Sequence, residues 1–285
     1  MKSKIIELFG LSYNWDGNWK EVVDRQSCPF LSRKDSSFRK CIKVRKSQPE
    51  ISIGTCSVSY RDFGVIICPF RLLERNQIFT DCLHLLTGHQ PGNEIHILSE
   101  VSVPGGSVDY VLASARKREI VDFVGIELQT LDTTGTVWPE RQRFLQNNGF
   151  DMPEDDILSQ KSFGMNWKMT AKTILVQLHH KIVTFEHLNK HLVLVTQDKL
   201  MEYMKKQFAF DHLRQNAGDP MQIHSYKFSE ESGVWRITLE EHLSTDSNGI
   251  ATCLGLQKNA KVELSLITQQ LEAKISDKTL LSLQT

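Results

Sequence analysis

Residues 107–130 read SVDYVLASARKREIVDFVGIELQT, and the fold class turns on this stretch. In Ser107–Ala113 the side chains of Val108, Tyr110 and Leu112 alternate with Ser107, Asp109 and Val111, the two-residue period of a strand. Asp109 therefore points away from the face that carries Tyr110. Ile120–Thr130 reads as the next strand, with Val124, Ile126 and Leu128 on one face and Gly125, Glu127 and Gln129 on the other. Two polar side chains inside an apolar strand cost desolvation free energy unless they serve a site. An Asp on one strand and a Glu on its neighbour can grip a divalent cation through hard oxygen ligands. Glu94–Val103 is a third strand, and the turn Pro104-Gly105-Gly106 returns its Glu100 beside Asp109.

On the C-terminal side, apolar spacing predicts helices over Trp138–Asn147 and Trp167–Leu188, a short strand over Leu192–Thr196 and a helix near Lys199–Phe210. Further strands follow from Met221, with a last helix over Val262–Ala273. On the N-terminal side, Glu50–Tyr60 and Gly64–Cys68 are β-branched runs that suggest a hairpin. Arg71–Leu86 has helical spacing and ends at Gly88 and Pro91-Gly92. Strands interleaved with helices argue for a mixed α/β layer architecture.

The 285 residues carry 34 Lys and Arg against 34 Asp and Glu, with 40% hydrophobic and 24% charged residues. This is the composition of an ordinary globular protein. No apolar run approaches the ~18 residues of a membrane span, and the start lacks a signal peptide, so a cytoplasmic, non-membrane protein is expected. Charge is segregated. Leu31–Lys46 carries Arg33, Lys34, Arg39, Lys40, Lys43, Arg45 and Lys46 against Asp35 alone, and Lys161–Lys181 contains no acid. A neutral chain with such segregation can present one positive face to phosphate. Lys168 and Lys172 on the long helix, preceded by Arg141 and Arg143, are the candidates for such a contact. His179 and His180 read as a helix-surface pair.

Six cysteines without an export signal point to thiol or metal chemistry rather than disulfides. Cys28, Cys41, Cys56 and Cys68 cluster, and the steps Cys28-Pro29-Phe30 and Cys68-Pro69-Phe70 bracket them. Four thiolates suit tetrahedral iron or zinc, and such a closed set is structural. Four buried free cysteines are the alternative. A small basic β-segment has little core of its own, so a metal staple makes physical sense. Cys82 and Cys253 read as packing residues.

Together these residues resemble the NotI and EagI group of Type II restriction endonucleases. Cys28-Pro29-Phe30-Leu31, Cys41-Ile42-Lys43, Gly54-Thr55-Cys56-Ser57-Val58 and Ile66-Ile67-Cys68-Pro69 resemble the group's four-cysteine iron site. Glu100, Asp109-Tyr110 and the run Val124–Thr130 with Asp132 and Gly135 resemble its catalytic core, and Gly164-Met165-Asn166-Trp167 resembles a further block. The pattern Asp-x(17)-Glu-x-Gln is similar to the PD-(D/E)xK nuclease signature, with Gln129 where Lys usually stands. The resemblance implies a restriction-endonuclease-like core over 76–285 and a metal-binding, DNA-positioning segment over 1–75. It also implies a homodimer in the bacterial cytoplasm that cuts a palindromic double-stranded site, GC-rich in members of the group. Asp109 and Glu127 become Mg²⁺ ligands, Gln129 occupies the usual Lys position and Glu100 supplies an additional acid. The competing readings are a non-catalytic DNA-binding protein with a metal ribbon, and a nuclease that is not sequence-specific.

Overall fold

The computed structural model describes residues 4–31, 39–256, 268–269 and 271–274. Most of the helix expected over Val262–Ala273, and part of the basic stretch after Leu31, lie outside those residues. Strands β1 (Ile5–Leu8) and β2 (Leu11–Ser12) lead to helix α1 (Trp19–Arg25), whose first amides are capped by Asn18. The ribbon β3 (Val44–Arg45) and β4 (Gln48–Ser52) precedes β5 (Thr55–Tyr60) and β6 (Phe63–Ile66). The last two form the expected hairpin, pairing Ser57 with Ile66 and Tyr60 with Phe63, in a sheet of order β2-β1-β5-β6.

The helix expected over Arg71–Leu86 is broken. 3₁₀ turns at Pro69–Asn76 and Leu83–Leu85 flank a short α2 (Gln77–Asp81). Arg75 and Asn76 adopt left-handed φ of +52° and +58°, which no α-helix accommodates. The apolar residues Leu72, Leu73, Ile78, Phe79 and Leu85 are nonetheless buried. Burial set the spacing here, and it did not require one continuous helix.

A second sheet begins with the antiparallel strands β7 (Glu94–Val103), β8 (Gly106–Arg116) and β9 (Glu119–Gln129). The ribbon β10 (Thr133–Thr134) with β11 (Gly164–Met165), and helices α3 (Trp138–Asn147), α4 (Glu154–Leu158) and α5 (Trp167–His187), connect it to β12 (His191–Gln197). β12 runs parallel to β9, with Leu194 level with Glu127. Helix α6 (Asp198–Gln207) leads to β13 (Met221–Glu231), parallel to β12, and β14 (Val234–Thr245) returns antiparallel. Helix α7 (Ser247–Cys253) follows. The strand order is β14-β13-β12-β9-β8-β7, a mixed α/β sheet. Every residue of β12 is buried, as expected of a parallel strand covered on both faces.

Two apolar cores result. One includes Ile174, Leu175, Leu178 and Ile182 of α5, and the other Leu112, Ile126 and Val195 of the sheet with Ile78 and Phe79 of α2. Residues 1–75 contribute to both, through Ile5, Leu8 and Val58 to the first and Ile6, Ile66 and Leu72 to the second. Polar groups join the sheets as well. The Gln197 side chain accepts from the Ile66 amide at 2.9 Å and donates to the Gly64 carbonyl at 2.8 Å. No helix among the described residues is long and apolar enough to cross a membrane.

Candidate active site and cysteine cluster

The antiparallel register Tyr110↔Ile126 and Val111↔Gly125, carried one step further, sets Asp109 opposite Glu127. Directly opposed residues of neighbouring strands project from the same face. Asp109 is exposed, and one of its carboxylate oxygens accepts from the Leu128 amide at 2.7 Å. Glu127 is 5% exposed. Burial pushes its carboxyl up to about 7, the Lys181 ammonium pulls it down, and the Asp109 charge adds to the rise. Asp109 is therefore close enough for its charge to act on Glu127.

Sequence reasoning missed Lys181. Its Nζ donates to Glu127 Oε1 at 2.6 Å, with both side chains more than nine-tenths buried. Helix α5 reaches this position because Gly105 and Gly106, in the β7–β8 turn, leave room for it. A Cβ on Gly105 would meet the His180 carbonyl oxygen at 2.4 Å, and one on Gly106 the Lys181 side chain at 3.2 Å. Thr184 Oγ1 also donates to the Pro104 carbonyl. Gln129 is half-buried, and its amide donates to the Thr130 carbonyl at 2.6 Å. Glu100 lies opposite Asp109 in the β7–β8 register, exposed and at a left-handed φ of +56°. Its charge and that of Asp109 both raise the pKa of Tyr110, after burial. Tyr110 packs on the other face against Phe79, ring centroids 5.4 Å apart.

The basic candidates divide. Lys168 and Lys172 are exposed on α5. Arg141 is not available to a duplex. It is 3% exposed, donating to the Ile53 carbonyl at 2.7 Å, the Ser52 carbonyl at 3.3 Å and Gln142 Oε1. Burial lowers its pKa to about 10. It ties α3 to the cysteine segment. Arg143 likewise donates to the Ile157 and Ser159 carbonyls and pairs with Glu140 at 2.9 Å.

Cys28, Cys41, Cys56 and Cys68 are buried, and together they line one small cavity with Phe9, Pro29 and Gly54. The thiol of Cys28 is engaged by the amides of Phe30 and Leu31, and that of Cys68 by the amides of Phe70 and Arg71. Both Cys-Pro steps thus turn the second and third following N–H groups onto a sulfur, an arrangement suited to thiolates. Desolvation raises all three thiols for which a shift is resolved, Cys28 to about 11, and neighbouring sulfurs add to the rise. Four buried sulfurs around one cavity, with backbone amides aimed at two of them, are a cluster of soft donors that the fold has gathered from separate segments. Among the described residues no three His, Cys, Asp or Glu side chains already stand in a closed metal-ligating arrangement. Cys82 and Cys253 are buried elsewhere in the apolar cores.

Opposed carboxylates on neighbouring strands with a buried ammonium beside them are groups that can hold a divalent cation and stabilise charge. Residues 19–232, most of the chain, match a family of restriction endonucleases, enzymes that cut DNA. That family is described as restriction endonuclease NotI, and the chain belongs to it. Among curated proteins no match is found.

Proposed function

We propose that the chain is a Type II enzyme of the PD-(D/E)xK kind, a Mg²⁺-dependent homodimer that cuts both strands of a palindromic DNA site in the bacterial cytoplasm. The observation that carries this reading is Asp109 set opposite Glu127 with Lys181 on the latter. Asp109 and Glu127 come from neighbouring strands β8 and β9 of the mixed sheet, and Lys181 comes from α5, which supports the reading. Asp109 and Glu127 would hold the ion, and Glu100 is the additional acid. When bound, Mg²⁺ lowers the pKa of water and offsets charge on the phosphoryl oxygens. Hydrolysis joins a water oxygen to phosphorus, breaks one P–O ester bond and returns a proton to the leaving oxygen. Gln129 orients water through its amide but neither titrates nor supplies charge. Lys168 and Lys172, exposed on the same helix as Lys181, contact phosphates. A two-fold enzyme matches the symmetry of a palindrome.

The four cysteines act as a structural staple. Their thiolates would hold iron, as the resemblance implies, or zinc, which the same donors suit. With Arg141 they fix the N-terminal segment against α3.

Plasmid cleavage with Mg²⁺ against EDTA, repeated with Glu127→Ala, tests the catalytic reading. Discrete fragments that vanish with EDTA and in the variant support it, whereas DNA binding without cleavage favours a non-catalytic module, and a smear favours a non-specific nuclease. For the staple, metal content is measured and the metal then removed. Weakened folding and DNA binding are expected, and metal-free protein that refolds, binds and cuts normally defeats it.

A further inference from the structure

The sequence leaves the active site one cation short, because Gln129 stands at the position where a nuclease of this kind carries Lys. The structure brings a cation to Glu127, two residues away on the same face of β9, from another element. Lys181 arrives on α5, more than fifty residues later in the chain, and its Nζ sits 2.6 Å from Glu127 Oε1. Both residues are buried, 6% and 5% exposed. Glu127 is the one hydrogen-bond acceptor of this ammonium among the described residues. An ammonium has three N–H groups, so two remain for other acceptors. Burying a lysine beside a single carboxylate, next to an exposed Asp109, is a costly arrangement for a fold to keep as mere packing. The glycine turn at Gly105-Gly106 exists at the point where α5 must come close enough to deliver it. Gln129, by contrast, is turned onto its own strand at Thr130.

We infer that Lys181 is the catalytic cation of this enzyme, replacing in space the lysine that Gln129 replaces in sequence. One N–H holds the Glu127 carboxylate in place. The others bind the attacking water and a non-bridging phosphoryl oxygen, where negative charge grows as the water oxygen bonds to phosphorus. Such a preorganised donor acts where charge develops, and losing one commonly lowers turnover by about 10²–10³-fold. The inference rests on the nuclease reading of Asp109 and Glu127.

The test uses the full chain and a plasmid that the wild type cuts. Lys181→Met should fold, bind DNA and lose about 100-fold or more in kcat with little change in KM. Adding Gln129→Lys should restore at least tenfold, because it returns a cation to the same face from β9. A purely structural lysine predicts no such rescue, since Gln129 does not contact Lys181's partners. Lys181→Met cleaving within threefold of wild type overturns the inference, as does a folded double variant with no recovered activity. Should the single variant fail to fold, the double variant decides alone. If it too fails to fold, Lys181 serves the fold and the inference falls. Wild-type protein that cuts no DNA with Mg²⁺ is a different outcome, and it removes the nuclease reading itself.

Discussion

Among the described residues, two ion-pair clusters have both signs of charge more than nine-tenths buried, and they are built to opposite ends. In the first, Arg71 is 1% exposed and every edge of its guanidinium is engaged. Nε meets Glu7 at 2.8 Å, Nη1 meets Glu74 at 2.9 Å and Nη2 the Trp235 carbonyl at 2.8 Å. The rings of Phe30 and Phe228 flank it at 5.0 and 5.2 Å. Its acids are shared too. Ser57 donates to Glu7, and Arg236 and the Ile237 amide donate to Glu74. The second cluster is a single contact, Lys181 to Glu127, open toward an exposed Asp109. Partners hold Glu74 below the usual carboxylate range despite its burial, whereas burial outweighs the partners at Glu7 in the same cluster and raises Glu127 to about 7. A saturated network locks β1, the Pro69–Asn76 turn and β14 together, while an unsaturated one keeps capacity for a metal, a water or a phosphate. Under-partnered burial is the mark of a site, and full partnering the mark of a joint.

Exchanging the consequences of damage is the strongest way to break this contrast. Asp109→Ala should cost at least 10³-fold in cleavage, on the order of 4 kcal/mol of barrier, with the urea midpoint nearly unchanged. Arg71→Met should do the reverse. It leaves Glu7 and Glu74 buried without their shared cation, at about 3–5 kcal/mol of stability, and residual folded protein should cut at the wild-type rate per molecule. Denaturant unfolding and active-site titration separate the two. A catalytic defect in folded Arg71→Met, or an unfolding defect in Asp109→Ala, would erase the distinction.

A third buried titratable group sharpens it. His224 of β13 is 1% exposed, opposite His242 of β14, with the ring of His84 6.4 Å away and the Cys82 sulfur 3.9 Å from Nδ1. Its Nε2 has no hydrogen-bond partner. Burial lowers its pKa from about 6.5 to about 3, with His242 and His84 adding to the fall. The unfolded chain takes up this proton near pH 6.5 and the folded chain only near 3, so stability is lost as pH falls through that window. The loss by pH 4 is about 3 kcal/mol. His224→Phe should remove that much of the stability difference between pH 7 and pH 4, read from urea midpoints, while cleavage at pH 7 is unchanged. An acid dependence equal to the wild type's would show that another group governs it.

The strands were legible because alternation over Ser107–Ala113 and Ile120–Thr130 is a local signal, and the Pro104-Gly105-Gly106 turn marks the pairing of β7 with β8. The opposition of Asp109 and Glu127 belongs instead to the β8–β9 register, which closes at the Lys117-Arg118 turn and has no comparable turn signal in the sequence. Lys181 was not legible from composition, being one of several lysines in an acid-free stretch. A signal was present all the same. Ala171, Ile174, Leu175, Leu178, Ile182 and Phe185 are buried at helical spacing, and Lys181 falls on that stripe, three residues after Leu178. A lysine on the apolar face of an amphipathic helix must find a buried acid. Arg141 was misread for the same reason. It lies on the buried face of α3, and only the tertiary fold brings the Ile53 carbonyl to it. The broken helix after Arg71 was hidden because burial of Leu72, Leu73, Ile78 and Phe79 gives helical spacing without helical continuity.

The smallest expected effect tests how tightly the open cluster depends on its scaffold. Gly105 has a φ of +92°, and its missing Cβ is what lets the His180 carbonyl approach the β7–β8 turn. Gly105→Ala meets two separate costs. The left-handed backbone disfavours any side chain by about 1–2 kcal/mol, and the methyl would lie 2.4 Å from a backbone oxygen that can yield only if α5 moves. A shift of α5 carries Lys181 with it, one residue beyond His180, and so draws the ammonium away from Glu127. Stability should fall by about 2 kcal/mol. Cleavage should fall by about tenfold, more than the folded fraction accounts for, because catalytic groups tolerate misplacement poorly. Gly92→Ala is the control, since it also has a positive φ, +90°, but has nothing within 4 Å of its Cβ position. It should lose the backbone share of the stability and none of the specific activity. Equal catalytic losses in the two variants would mean that helix position does not set the geometry of the site.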